Sequence, residues 1–450
     1  MDQTSQLARH GLFDARVPRY TSYPTAPHFA GGVDGQRFEG WVRSIPEGGQ
    51  VSLYLHVPFC RRLCWFCACR TQGTSTNDPV RAYLEVLKAE IAMLGKVLPE
   101  GVTLSRMHWG GGTPTLMDPD MMAELAAAVA EVVPMSDGAE FSVEIDPNEI
   151  DDPRLDVLAQ AGMNRASIGV QDFDPEIQKV IGRDQSYELT AQAVEMIRAR
   201  GIHSLNADIL YGLPHQTNER ITASVEKLLS LSPDRVALYG YAHVPWMAKR
   251  QNMLPTEALP TPAERLDLFE TAARLFRWDG FEAIGIDHFA RPDDGLATAL
   301  RSGKLKRNFQ GYTDDTSDVL IGLGASSISR FPQGYAQNAA ATSAYIKDVR
   351  AGQFATARGH VFTEEDRVRG RMIEQLMCEF RISCDQILAL GADPSWLHGE
   401  LTRVATRFED MVDYSSAGLA IREKALPLAR VIARAIDGYD LSKAGHSAAI

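Results

Sequence analysis

The chain has 450 residues, 45% of them hydrophobic and 23% charged, the balance of a soluble globular protein with room for one large domain and a smaller one. A net charge of −12 argues against nucleic acid as a main partner, so an acidic ligand would need a local group of Arg or Lys. No apolar run approaches the ~18 residues of a membrane span, and the first twenty residues have no signal-peptide core. The expected compartment is therefore the cytoplasm, where clustered cysteines serve metals or redox chemistry more often than disulfides.

The first 48 residues read as an N-terminal arm. Strand-like runs then alternate with amphipathic helices: VSLYLHV (51–57), LSRMHW (104–109), EFSVEI (140–145), RASIGV (165–170), SLNADIL (204–210), RVALYGY (235–241) and FEAIGI (281–286). Between the first two, Leu84, Leu87, Ile91 and Leu94 share one face of a helix over 79–97. At TPAE (261–264), Thr261 as N-cap, Pro262 at the first helical position and Glu264 predict a capping box. This alternation predicts a parallel sheet with right-handed crossovers, either an open sheet or a partial barrel. The unusual polar residues choose between sites: GGGTP (110–114), Glu144, Gln171, Asp208 and Ala242-His243 all fall at C-terminal strand ends, where α/β folds build their sites. After about residue 360 the alternation stops. FTEEDRVRGRMIEQLMCEF reads as a helix, and DYSSAGLAIREKALPLARVIARAID as a turn and a long helix. The expected division is thus 1–48 (arm), 49–360 (barrel) and 361–450 (mostly helical).

Four of the six cysteines stand in PFCRRLCWFCACR (58–70), directly after the first strand. Cys60, Cys64 and Cys67 are spaced CxxxCxxC, and Cys69 adds CxC. Structural zinc draws its ligands from two separate knuckles, whereas this set comes from one short loop. Three thiolates suit a [4Fe–4S] cluster with one iron left without a protein ligand. Iron–sulfur is the preferred reading and a zinc-stabilised binding module the alternative.

CxxxCxxC with Phe66 before the third cysteine resembles the signature of the radical S-adenosylmethionine enzymes. That resemblance implies that Cys60, Cys64 and Cys67 hold the cluster, that Cys69 is not a ligand, and that the cofactor's methionyl group binds the open iron. Reductive cleavage then yields a 5′-deoxyadenosyl radical, which abstracts hydrogen from an unactivated carbon. The cofactor carries the hard chemistry and the protein places it.

Further segments narrow the match. RYTSYPTA (19–26), LYLHVPFCRRLCWFCACR (53–70), HWGGGTPT (108–115), EIDPNEI (144–150), GVQDFDPEIQKVIGRDQ (169–185), ADILYGLP (207–214), YAHVP (241–245), RNFQGYT (307–313) and GLGASSIS (322–329) resemble the oxygen-independent coproporphyrinogen III oxidases. The resemblance implies a partial (β/α) barrel with a helical C-terminal domain. It also implies oxidative decarboxylation of two propionates of coproporphyrinogen III to vinyls, giving protoporphyrinogen IX in haem biosynthesis. The partners implied are a low-potential donor such as a flavodoxin or ferredoxin and a separate electron acceptor, around a monomer. Two S-adenosylmethionines are implied, contacted by Tyr54, Phe66, Gly111, Gly112, Thr113, Glu144, Gln171, Arg183, Asp208, Ala242 and Ile328. Tyr54, Glu144, Gln310 and Ile328 are the catalytic candidates.

Taken singly, these residues have plainer readings. Glu144 and Asp208 suit buried ion pairs or caps, Gly110 to Gly112 a tight turn, Arg183 a solvated charge, and Tyr54 and His56 the core. Cys378 and Cys384 read as small buried hydrophobes. Arg19 and the charges around RNFQGYT are candidates for holding propionates. The rival within the same superfamily is a haem-binding chaperone. Against it stand RYTSYPTA, Cys69, and Gln171, Arg183 and Ile328 at second-cofactor positions.

Overall fold

The computed structural model describes residues 3–440 and 447–450. Six strands with their crossover helices run in chain order: β1 (Gln50–Val57), β2 (Thr103–Gly111), β3 (Met135–Ile145), β4 (Arg165–Gln171), β5 (Ser204–Tyr211) and β6 (Arg235–Gly240). Each pairs in parallel with the next. β7 (Glu282–Ile284) and β8 (His288–Ala290) close one side, and β9 (Leu320–Leu323), β10 (Ile328–Phe331), β11 (Gly334–Asn338) and β12 (Thr356–Val361) extend the other. The twelve strands form one sheet in the order β12-β11-β10-β9-β1-β2-β3-β4-β5-β6-β8-β7, and its two edges do not pair with each other. The fold is thus an open, partial (β/α) barrel, as the alternation predicts.

The far ends differ from the expected repeat. FEAIGI is not a further parallel unit: β7 pairs antiparallel with β8, and β8 antiparallel with β6. Only three residues, Gly285 to Asp287, separate Ile284 from His288, too few for a crossover helix, so a hairpin is the available connection. On the opposite side β9 pairs in parallel with β1, and β10 to β12 follow as an antiparallel meander. The C-terminal segment is mostly helical, with Glu364–Glu379 and Pro394–Arg407 the longest helices. DYSSAGLAI, however, is a hairpin: Val412–Ser415 and Gly418–Ile421 pair with each other, and Gly418–Ile421 also pairs with Arg381–Ser383. Among the described residues no helix is long and apolar enough to cross a membrane.

The helices form as their sequences direct. Asp78–Gly95 carries Leu84, Leu87, Ile91 and Leu94 on its buried face, and Thr261 and Glu264 form the capping box ahead of Pro262–Trp278. The first of these also positions the barrel's mouth. The Tyr83 hydroxyl donates to the His56 carbonyl (2.8 Å) and accepts from the Ala325 amide (2.9 Å), so one phenol ties the end of β1 to the GLGAS turn. Glu90 accepts from the Gly324 amide, Asn338 and Tyr345 nearby.

Inside the barrel, side chains alternate with the pleat. Trp109 and Phe141 point outward into the apolar layer beneath the helices, where their rings meet edge to face at 5.1 Å. The inward set is polar, and its floor is a charged network. Arg106 pairs with Glu140 (2.8 Å) and Asp314 (2.6 Å), Arg165 with Glu140 (2.8 Å), and Arg235 with Asp294 (2.7 Å). Ser52 on β1 hydrogen-bonds Asp315.

Burial alone would raise Glu140, but the charges of Arg165 and Arg106 outweigh it and hold the carboxyl down at about 2. A depressed folded-state value stabilises the fold above the ordinary value of 4.5, and that stability is lost as pH falls through the folded value. Glu140→Gln is expected to lower the unfolding free energy at pH 7 by about 3–5 kcal/mol, because it leaves buried arginine charge unpaired. Urea titrations at several pH values check this: the gap from wild type should shrink as pH falls from about 4.5 towards 2.

Candidate functional site

The inward positions of the strands meet in register. Tyr54 lies beside His108, His108 beside Ser142, Glu144 beside Ser167, and Gly169 beside Asp208. Period-two alternation therefore delivers one polar group per strand to each level of the barrel. Near the top these groups line a cavity of about 420 Å³ with Tyr54, Glu144, Asp208, Gln310 and Ile328 in its wall. Ile328 opens β10, and Gln310 stands at the tip of the hairpin formed by Lys306–Asn308 and Gly311–Thr313. Five of the sequence-selected residues, far apart in the chain, thus share one chamber.

Hydrogen bonds fix the chamber's polar groups. The Tyr54 hydroxyl lies 2.9 Å from His56 Nδ1, and the Tyr54 and His108 rings stack at 5.7 Å. Burial pushes Tyr54 up and His56 down, so both are neutral at physiological pH. Glu144 accepts from the Gly111 amide (2.9 Å), and its other oxygen lies 3.4 Å from His108 Nε2. Asn206 donates to Asp208 (3.0 Å). Burial, with the Glu144 charge adding to it, pushes Asp208 up to about 7 against that hydrogen bond.

The Gly111–Glu144 bond joins the chamber to a second group of selected residues, packed around the cysteine loop. Cys60 ends a short strand that pairs with Gln72–Gly73, and the Thr113 amide donates to the Phe59 carbonyl (2.7 Å). Gly112 stands where this contact needs it, since a Cβ there would lie 2.4 Å from the Phe59 carbonyl oxygen. Each of the three motif sulfurs has a donor. The Thr113 side chain hydrogen-bonds Cys60, Arg183 Nη1 lies 3.6 Å from Cys64 Sγ, and the Cys69 amide lies 3.4 Å from Cys67 Sγ. Burial raises Cys60 and Cys64, whereas the hydrogen bond from Cys69 lowers Cys67. Cys69 is itself a neighbour of the set, engaged with Cys67.

Arg183 is buried, not a solvated surface charge. It donates to the Gly169 carbonyl (2.7 Å) and to Gln185 (2.9 Å) as well as facing Cys64. Gln171 sits beside it at a bulge in β4, with φ of 69°. Phe66 packs with Ile177, Ile181 and Tyr241. Ala242 stands apart from the 420 Å³ chamber and lines a larger cavity beside it. Cys378 is buried as expected, but Cys384 is only partly so. Among the described residues no three His, Cys, Asp or Glu side chains converge tightly enough for a single metal ion.

Two structural groups have no motif in the sequence. One is the barrel floor of Arg106, Glu140, Arg165 and Arg235, whose signal is the two-residue spacing from His108, Ser142, Ser167 and Ala237. The other is Gln251. Fully buried, it donates to the Phe66 carbonyl (2.7 Å) and the Ala242 carbonyl (3.0 Å) and accepts from the Val244 amide (2.6 Å). A single amide so staples the cysteine loop to the exit of β6.

Comparison with known proteins gives a consistent picture. The Radical SAM superfamily model matches residues 54–228. The chain is 65% identical to an oxygen-independent coproporphyrinogen III oxidase of Paracoccus denitrificans over 100% of both sequences. It is 37% identical to the Escherichia coli protein of that name over 95% of this chain and 94% of the relative. The solved structure of Escherichia coli coproporphyrinogen III oxidase, described as a radical SAM enzyme, matches with a TM-score of 0.90 and 35% identity, covering 95% of this chain and 100% of that one.

The raised Asp208 carries a stability consequence. Its folded value lies above the ordinary 3.8, so its contribution is fully present below that value and is lost as pH rises through about 7. Asp208→Asn removes the buried charge. The variant is expected to unfold at higher denaturant than wild type, with a gap that widens by a few kcal/mol as pH rises from about 4 to about 7. Urea unfolding across that range checks it, and a gap independent of pH would contradict the assignment.

Proposed function

The chain belongs to the oxygen-independent coproporphyrinogen III oxidases, and from that premise we propose how its residues divide the work of oxidising coproporphyrinogen III in haem biosynthesis. Cys60, Cys64 and Cys67 are the ligands of a [4Fe–4S] cluster, and Cys69 is not. The observation that carries this reading is the donor pattern on one loop. Three free thiols each face a separate hydrogen-bond donor, and Cys69 acts as donor to one of them. Thiolates on separate corners of a cubane stand further apart than the ligands of one ion, in keeping with the lack of a single-ion site among the described residues. When bound, the cluster and S-adenosylmethionine supply hydrogen-atom abstraction from an unactivated carbon.

The protein's own part is placement. Arg183 directs a guanidinium at Cys64 and so stabilises a thiolate there, while Asp146 at 3.7 Å balances part of its charge. Glu144 holds the glycine turn through the Gly111 amide and presents its second oxygen to the chamber, where it can accept from a ribose hydroxyl or an amine. Asp208, pushed up to about 7 by burial, is close to half protonated near neutrality and in its protonated form offers a donor beside that acceptor. Neutral Tyr54 and His56 form a fixed polar wall, and Ile328 and Gln310 line the same chamber. Two S-adenosylmethionines are assigned to these residues, one at the glycine turn and a second contacted by Gln171, Arg183 and Ile328. Each of two substrate propionates would lose one hydrogen atom from its β-carbon by that abstraction, carbon dioxide, and one electron to a separate acceptor, and so become a vinyl. The low-potential donor is a protein of the flavodoxin or ferredoxin kind.

Anaerobically reconstituted protein is expected to carry about four irons. Cys60→Ala, Cys64→Ala and Cys67→Ala should each lose most of that iron and all turnover of coproporphyrinogen III, scored as carbon dioxide and 5′-deoxyadenosine released together. Cys69→Ala should keep the iron. Iron loss in that variant as severe as in the other three would overturn the ligand assignment.

A further inference from the structure

A chain with a net charge of −12 has more carboxylates than cations, which makes half-buried or buried arginines without an Asp or Glu partner informative. Beside the barrel mouth lies the larger cavity, about 900 Å³, within the range of small-molecule sites. The N-terminal arm, the exit of β6, the helix Pro262–Trp278 and residues 423–430 wall it, and His288 lines both this cavity and the 420 Å³ chamber. Arg19, Arg265 and Arg430 face it from three different segments.

Among the described residues none of the three pairs with an Asp or Glu side chain. Their partners are main-chain oxygens: Gly240 for Arg19; Ile450, Gly212 and Tyr241 for Arg265; Val17, Pro18, Ala448 and Ala449 for Arg430. Arg19 commits one donor group, to Gly240 (2.6 Å), and leaves the rest of its fork free. The cavity's own carboxylates offset this charge only in part: Asp287 acts on Arg19 and Arg430 at a distance, and an oxygen of the last residue, Ile450, lies 3.2 Å from Arg265 Nε. Asp287 is engaged by His288 (2.7 Å) and Arg307 (3.4 Å), and Glu270 and Glu423 are exposed. Burial, and then the neighbouring Arg19 charge, push Arg430 down to about 9, the mark of like charges gathered out of water. Such a group is costly without a counter-ion, and planar guanidinium forks suit carboxylates in particular.

We propose that this cavity anchors the substrate through the two propionate carboxylates that do not react, with Arg19 and Arg265 as the contacts and Arg430 as fixed positive charge behind them. The inference rests on the reading of the substrate as a porphyrinogen with four propionate arms. Carboxylates held there leave the reacting arms directed past His288 into the chamber that contains Glu144 and Asp208. Arg430 also ties the arm to the C-terminal residues, so Arg19 and Arg265 are the positions to vary.

The test uses reconstituted holoprotein and two air-stable fluorescent probes: coproporphyrin III, with four carboxylates, and protoporphyrin IX, which keeps only the two unreacted ones. Arg19→Gln and Arg265→Gln are each expected to raise the Kd for both probes by at least about tenfold, the loss of a charge-assisted hydrogen bond. S-adenosylmethionine affinity and iron content should not change, and Arg19→Lys should recover part of the affinity. Unchanged affinity for both probes would overturn the proposal. So would an effect confined to coproporphyrin III, which would put the reacting arms on these arginines, or a parallel loss of S-adenosylmethionine binding. Anaerobic turnover by wild type separates the two levels. An inert wild type removes the substrate reading, whereas an active wild type with unchanged KM in Arg19→Gln removes only the anchoring site.

Discussion

Everything in this molecule follows from the parity of six parallel strands held in register. A strand shows alternate residues to opposite faces, so a fixed register makes every second position of each strand an inward one. Here those positions are polar from floor to mouth. Arginines and carboxylates neutralise one another at the base, and Tyr54, His108, Glu144 and Asp208 sit above them. A slip of one residue in β2 or β3 would drive Trp109 or Phe141 into a charged interior and turn Arg106 or Glu140 towards the apolar layer. The ion network below therefore specifies the register that aligns the chemistry above.

The cysteine loop is built on a different rule. Trp65 and Phe66 pack against the cluster of Ile177, Ile181 and Tyr241, and the loop is otherwise held by main-chain and side-chain hydrogen bonds to elements that are themselves fixed: the glycine turn after β2, Arg183 after β4, and Gln251 after β6. The sulfurs of Cys60 and Cys64 are supported by groups outside the loop, and that of Cys67 by the Cys69 amide within it. Such support is what a site for a low-potential cluster needs, since hydrogen bonds to sulfur and exclusion of water set its properties.

Much of this was legible in the sequence. The six central strands announce themselves as β-branched and aromatic runs between amphipathic helices, and the cysteine spacing stands out against a cysteine-poor chain. What was not legible has physical reasons. Strands such as β9 and β10 are four residues long and interrupted by Gly and Ser, below the length at which periodicity can speak. The Val412–Ile421 hairpin leads into a run rich in Ala, Leu, Ile and Arg that does form helix, and the hairpin itself is set by the distant pairing of Gly418–Ile421 with Arg381–Ser383. At the site, Arg183 alone looks like a surface charge, because burial is a property of the fold and not of the residue. Gln251 and Arg430 belong to no motif, and only distance in space reveals them.

Gln251 has a mechanical consequence. Its one amide holds three backbone groups, on the loop that carries Phe66 and on the segment that carries Ala242 and Val244. Neither segment can shift alone without stranding a polar atom in the interior, and that penalty is roughly 1–3 kcal/mol per group. The two behave as the arms of one lever. Tension at the sulfur-bearing arm is transmitted to the wall of the arginine-lined cavity, so the readiness of one compartment is written into the shape of the other.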